Sequence, residues 1–202
     1  MERNMTYDRV VTYLFLIVLA ITTVWDIIYR GGEKIPRIIL ILVTLIILKL
    51  IFKHTFLKKS KVMYVAIEIF IFFSMYLANV LNFYAIELYD KVLHFASGFL
   101  IGIFGFVIYT YLFGGKNNKD IKPMAMVIFT IMFCIACAGA WEIWEFTTDS
   151  LFGLTAQNGL EDTMYDIIFG TLGGILMTIF IYRYSKGKKN KLLDKIISEI
   201  QE

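Results

Sequence analysis

The stretch DKVLHFASGFLIGIFGFVIYTYLF, Asp90–Phe113, decides the fold. No charged side chain occurs between His94 and Lys116. As a helix, that run is long enough to cross the roughly 30 Å hydrocarbon core of a bilayer. Gly98 and Gly102 have the spacing that lets two helix backbones approach closely. The charges crowd into the start of the segment, where Asp90 and His94, four residues apart, share one helix face.

Working outward, five further apolar runs give spans at residues 10–29, 36–52, 62–81, 122–146 and 163–184, beside 91–113. The chain has 202 residues, of which 58% are hydrophobic and 16% aromatic, with two prolines; its mean hydropathy is +0.69. A soluble domain is neither so apolar nor so poor in turn residues. The expected class is therefore all-α, a polytopic transmembrane helix bundle of about six spans, forming a single integral membrane domain over residues 1–202 with a basic tail at 185–202. No internal repeat or low-complexity segment interrupts it. Pro36 and Pro123 fall in first helical turns, where a missing N–H costs nothing. No small-residue cleavage site follows the first apolar run, so that span reads as a retained anchor.

Basic residues set the expected orientation. One group of loops holds Lys53, Lys58, Lys59 and Lys61, then Lys116, Lys119 and Lys122, then Arg183, Lys186, Lys188, Lys189 and Lys191. The alternate loops hold Arg30, Lys34, Arg37 and Lys91. The positive-inside rule places the richer group, and both termini, in the cytoplasm. The net charge of +3 is small, and the Lys-rich tail comes with no nucleic-acid-binding pattern, so it reads as a topogenic signal beside anionic lipid.

The last three spans are the richest in small residues: Gly98, Gly102 and Gly105; Ala136, Ala138, Gly139 and Ala140; Gly170, Gly173 and Gly174. They are expected to form a tight core, with the first three bracing it. Cys134 and Cys137 make a C-x-x-C inside an apolar helix, away from any thioredoxin-like context, and read as packing residues.

Three acidic groups stand at the outer ends of these three spans: Glu87, Asp90 and His94; Glu142, Glu145 and Asp149; Asp162 and Asp166. Helical rise puts His94, Glu142 and Asp166 about 4–6 Å deeper than Asp90, Glu145, Asp149 and Asp162. Carboxylates at membrane depth usually face a bundle interior, a partner or an ion. With Lys91 as the one nearby Lys or Arg, either a bound cation offsets the acids or protons are shared among them. His94, Glu142 and Asp166 are the expected ligands of a divalent cation (Mg, Mn, Ca or Zn), while Asp90, Glu145 and Asp162 would handle protons. The structural alternatives are N-caps at Asp90 and Asp162, headgroup-level exposure of Glu145 and Asp149, and a satisfied buried histidine.

The segment Thr147–Glu161 reads either as an interfacial or re-entrant loop able to cover the site, or as a plain external loop anchored by Phe152 and Leu154. Glu68, inside the third span, reads as paired with a polar neighbour or as a proton carrier. Asn79 and Asn82 are expected to bond across helices, and Trp25, Trp141 and Trp144 to sit in the interfacial aromatic belt.

Asp90-Lys91-Val92-Leu93-His94-Phe95, Glu142-x-x-Glu145, and Asp162-x-x-x-Asp166 followed by Gly170 and Gly173–Gly174 resemble the YjdF-like inner-membrane family and, more remotely, VanZ-like proteins. The likeness covers Asp90 to Gly174. Glu142-x-x-Glu145 and the second acid, Asp166, depart from the VanZ-like pattern. The resemblance implies a small multi-pass bacterial membrane protein and hints at the cell envelope, with no established reaction. Three functions stay open. One is a metal-assisted hydrolase or transferase acting on an envelope lipid, with water as nucleophile. The second is a proton- or cation-coupled carrier or flippase. The third is a non-catalytic envelope-binding protein. The expected partners are membrane lipids, with no nucleic acid.

Overall fold

The computed structural model describes residues 6–114, 122–153 and 155–201. Among these residues there are only helices, turns and short connections, and six of the helices are long and apolar enough to cross a membrane. Lys116 and Lys119 of the expected basic loop, and Leu154, lie outside the described residues. The chain divides into two compact units, residues 1–86 with 191–202, and residues 87–190.

The first unit contains α1 (Tyr7–Arg30), α2 (Ile35–His54), α3 (Lys61–Ile71) and α7 (Lys191–Gln201). α1 ends at Gly31, whose φ of 64° places it in the left-handed region that closes a helix C-terminus. The carboxylate of Asp26, buried in α1, accepts the N–H of Lys34 at 2.8 Å and so ties the end of α1 to the start of α2. α3 continues as a π-helical segment, Phe72–Val80, completing the third span. There Tyr76 shares a buried 2.7 Å hydrogen bond with Thr22 of α1. Asn79 bonds across helices as expected, accepting from Arg37 at 2.6 Å. Asn82 instead takes a left-handed turn, φ 63°, after the span ends. The basic tail carries more structure than a topogenic signal requires. α7 buries Leu193, Ile196 and Ile197, and its Glu199 accepts the first-turn N–H of Val62 in α3 at 3.0 Å.

The second unit is built from α4 (Tyr89–Phe113), α5 (Pro123–Phe152) and α6 (Leu160–Ser185). Here the small residues do what their spacing predicts. A Cβ added to Gly98 would run into the carbonyl oxygen of Gly170, and one added to Gly173 into the carbonyl oxygen of Phe95. α4 and α6 therefore touch backbone to backbone, which only glycine permits. Cys134 packs against Gly174 and lies 3.8 Å from the Gly98 carbonyl, so it is a packing residue of the three-helix contact. The apolar faces left over, including Ile128, Met132 and Ile143 of α5 and Leu172 and Ile179 of α6, are exposed as a lipid-facing surface is.

α5 departs from expectation at its end. It runs to Phe152, six residues past residue 146, and the described non-helical residues there are 153 and 155–159 instead of the whole of Thr147–Glu161. Phe152 is exposed, so it does not anchor that loop in the protein.

Candidate functional site

The acidic groups converge within the second unit, where α4 and α6 begin and α5 ends. The expectation that Glu87, Asp90 and His94 share a helix face holds for the last two. α4 starts at Tyr89 after Leu88, whose φ of 63° breaks the helix, and Glu87 is exposed ahead of it. The N-cap alternatives are excluded by position. The capping residues are Leu88 for α4 and Gly159 for α6, so Asp90 and Asp162 lie inside their first turns, with side chains free to point elsewhere.

They point at Lys91. Its ammonium donates to Asp90 at 3.1 Å, to Asp166 at 2.6 Å, and to Asp162. Lys91 looked like thin compensation for a crowd of acids, yet it is the hub that joins α4 to α6. An i,i+3/i,i+4 reading passes over it, because a residue adjacent to Asp90 projects about 100° around the helix. The four-carbon stem bridges that angle, which is a tertiary choice.

His94 sits behind this hub, half-buried. Its Nε2 lies 3.6 Å from Asp90 Oδ1 and 3.6 Å from Asp166 Oδ1. One ligand atom from each of Asp90, His94 and Asp166 fits within a 4.8 Å span, compact enough to surround one cation. Two expected ligands, His94 and Asp166, thus meet, and the third place in this group falls to Asp90. An O,N,O set of this kind suits Mn²⁺ or Zn²⁺ and tolerates harder ions. The same two carboxylates already hold the Lys91 ammonium, so an ion and the ammonium would compete for them.

Glu142 is the odd member. It is only 4% exposed, and neither carboxylate oxygen has a hydrogen-bond partner. The Thr163 hydroxyl lies near it, and it is within electrostatic reach of His94, Asp162 and Asp166. Burying such a group without a partner is costly, so an acid of this kind is held beside the cluster by the fold around it. Glu145, one turn nearer the helix end, accepts the indole N–H of Trp141 at 2.9 Å.

Asp149 has a local task. Its two carboxylate oxygens accept the N–H groups of Ala156 and Gln157, each at 2.9 Å, and hold these two residues against the end of α5. The Gln157 side chain then bonds Thr163 at 3.2 Å and the Glu142 carbonyl at 3.4 Å. Gln157 thus lies beside Glu142 and contributes to the surroundings of the cluster. Sequence reasoning had no signal for Gln157 beyond its place in a polar loop.

Comparison with known proteins follows the same outline. The family described as "Predicted membrane protein (DUF2238)" matches residues 11–187, nearly the whole chain. An uncharacterized protein of Thermotoga maritima is 36% identical over 122 residues, covering 58% of this chain. The chain spans about 60% of that relative's length. No solved structure matches.

Proposed function

The chain belongs to the DUF2238 family of predicted membrane proteins, and from that premise we propose that it is a cation-handling protein of the cell envelope. Its working site is the cluster of Asp90, Lys91, His94, Glu142, Asp162 and Asp166. One observation carries the reading: a single ammonium is shared by three carboxylates, two of which form a compact O,N,O group with His94. Acids outnumber cations there, so a second positive charge is favoured. A divalent ion taking Asp90, His94 and Asp166 would displace Lys91 toward Asp162.

Such an ion would polarise a water or a phosphoryl oxygen. Glu142, buried and without a hydrogen-bond partner, would serve as the proton acceptor, with Glu145 one turn above it. On this reading the protein is a metal-assisted hydrolase or transferase acting on an envelope lipid at the outer leaflet, with both termini in the cytoplasm. The resemblance to YjdF-like proteins, and the remoter one to VanZ-like proteins, supports the envelope setting as analogy. A carrier is the second reading, favoured by Lys91 itself. An internal cation that trades places with an incoming one on the same carboxylates is a natural element of cation exchange.

A thermal-shift titration with Mg²⁺, Mn²⁺, Ca²⁺ and Zn²⁺ tests the cation site. At least one ion is expected to raise the Tm of the parent and to lose that effect in His94→Ala and Asp166→Asn. Equal responses in parent and variants would reduce the cluster to an ion-pair network that joins α4 to α6.

A further inference from the structure

A second polar group lies wholly within the first unit. Asp8 and Thr12 are one turn apart on α1, and Tyr64 and Glu68 are one turn apart on α3. Glu68 is 1% exposed, inside the third span. Its Oε1 is 2.7 Å from the Thr12 hydroxyl, while its Oε2 is buried without a hydrogen-bond partner. The groups that act on it are Thr12, the Tyr64 phenol and another carboxylate, Asp8, whose Oδ1 is also buried and unpartnered. None of these is a cation.

The hydrogens can be counted. The Thr12 hydroxyl carries one proton, and it stands within hydrogen-bond distance of two oxygens, the Asp8 carbonyl at 3.1 Å and Glu68 Oε1 at 2.7 Å. A backbone carbonyl only accepts, and an ionised carboxylate also only accepts. With Glu68 ionised, the Thr12 hydrogen is shared between two acceptors, the Tyr64 phenol supplies the one other O–H that acts on the carboxylate, and a full charge lies buried with Oε2 unanswered and no cation acting on it. With Glu68 neutral, its own O–H donates to Thr12, and Thr12 donates to the Asp8 carbonyl. Both contacts of the Thr12 hydroxyl then have a hydrogen of their own, and 2.7 Å is the usual length for an O–H···O bond.

We propose that Glu68 is a proton-binding site: a carboxylic acid held within the membrane-spanning part of the first unit, carrying its proton on Oε1 toward Thr12. Binding forms one O–H bond on the carboxylate and breaks one O–H bond of a hydronium ion, leaving water. Asp8, half-buried one turn nearer the start of α1, is the carboxylate that acts on Glu68 from that end. Around it, Tyr7 on α1 donates to Glu199 of α7 at 3.1 Å, and Lys195 lies over the Tyr7 ring at 4.6 Å. The titratable and charged groups in the first turns of α1 and α3 and along α7 are Tyr7, Asp8, Arg9, Lys61, Tyr64, Lys191, Asp194, Lys195 and Glu199, and of these Tyr64 and Asp8 are the ones that act on Glu68. This site shares no residue with the Lys91 cluster and does not depend on how that cluster is read.

Infrared difference spectroscopy of the full chain in lipid nanodiscs at neutral pH tests it. The parent is expected to show the carbonyl stretch of a neutral carboxylic acid, moving to lower frequency in D₂O. In Glu68→Gln that component is lost. In Thr12→Val it stays but moves to higher frequency, because the acid has lost its acceptor. Glu142→Gln serves as a control and is expected to leave the Glu68 component in place. Superimposable spectra of parent and Glu68→Gln in this region would overturn the proposal. If Glu68→Gln does not fold, Thr12→Val decides: a shifted band supports the site, and an unshifted spectrum refutes it.

Discussion

The ammonium of Lys91 lies 2.6 Å from Oδ1 of Asp166, a carboxylate whose side chain is only 4% exposed. This one contact reaches from the first turn of α4 to the second turn of α6, and Asp90 and Asp162 close around the same nitrogen.

Lys91→Met is expected to lower stability by about 3 kcal/mol, because removing one partner of a buried pair strands the charges it neutralised. Thermal unfolding in detergent measures the loss. A divalent ion that binds Asp90, His94 and Asp166 is expected to recover part of it, and to recover none in the double variant Lys91→Met/His94→Ala. A stability equal to that of the parent would show that the acids are neutralised by some other means.

Glu142→Gln keeps the shape of the side chain and removes its charge. Since neither oxygen has a partner in the structure, the variant is expected to match or exceed the parent in metal-free stability, by up to about 2 kcal/mol. A clear drop in Tm in the presence of a chelator would mean that the carboxylate is engaged by another group.

Gly98→Ala and Gly173→Ala are expected to break the second unit, since each new Cβ meets a backbone carbonyl of the facing helix. Gly139→Ala, on α5, meets nothing within 4 Å and is expected to be neutral or stabilising by about 0.5–1 kcal/mol through helix propensity. The yield of monodisperse protein after solubilisation compares the three. Equal yields would contradict a close α4–α6 contact.

Asp149→Ala removes the acceptor of two backbone N–H groups. Hydrogen bonds to a charged group contribute about 1.5–3 kcal/mol each, so the chain at Ala156 and Gln157 is expected to open and become the preferred site of limited proteolysis. A digestion pattern identical to that of the parent would assign no closing role to Asp149.

A cysteine at Asn158 is expected to react with a membrane-impermeant maleimide in intact cells above the background of the parent's Cys134 and Cys137. Reaction only after permeabilisation would turn the protein over in the membrane and put the Lys91 cluster on the cytoplasmic face.

The six apolar helices and the tight core of the last three were legible from length, hydropathy and glycine spacing, because these act locally and add along one helix. The meeting of the acids of α4, α5 and α6 at one end was legible too, because alternating spans put matched ends at matched depths. Packing in three dimensions set which groups touch. It chose Asp90 over Glu142 as the neighbour of His94 and Asp166, left Glu142 buried without a partner, and assigned Asp149 to the loop. It also made Lys91 the centre of the site. Spacing along a helix determines direction to within a face, but contact depends on the rotation of three helices and on where a long flexible side chain comes to rest. Those were settled by backbone packing at Gly98–Gly170 and Phe95–Gly173, which begins one helical turn beyond Lys91 on α4 and Asp166 on α6.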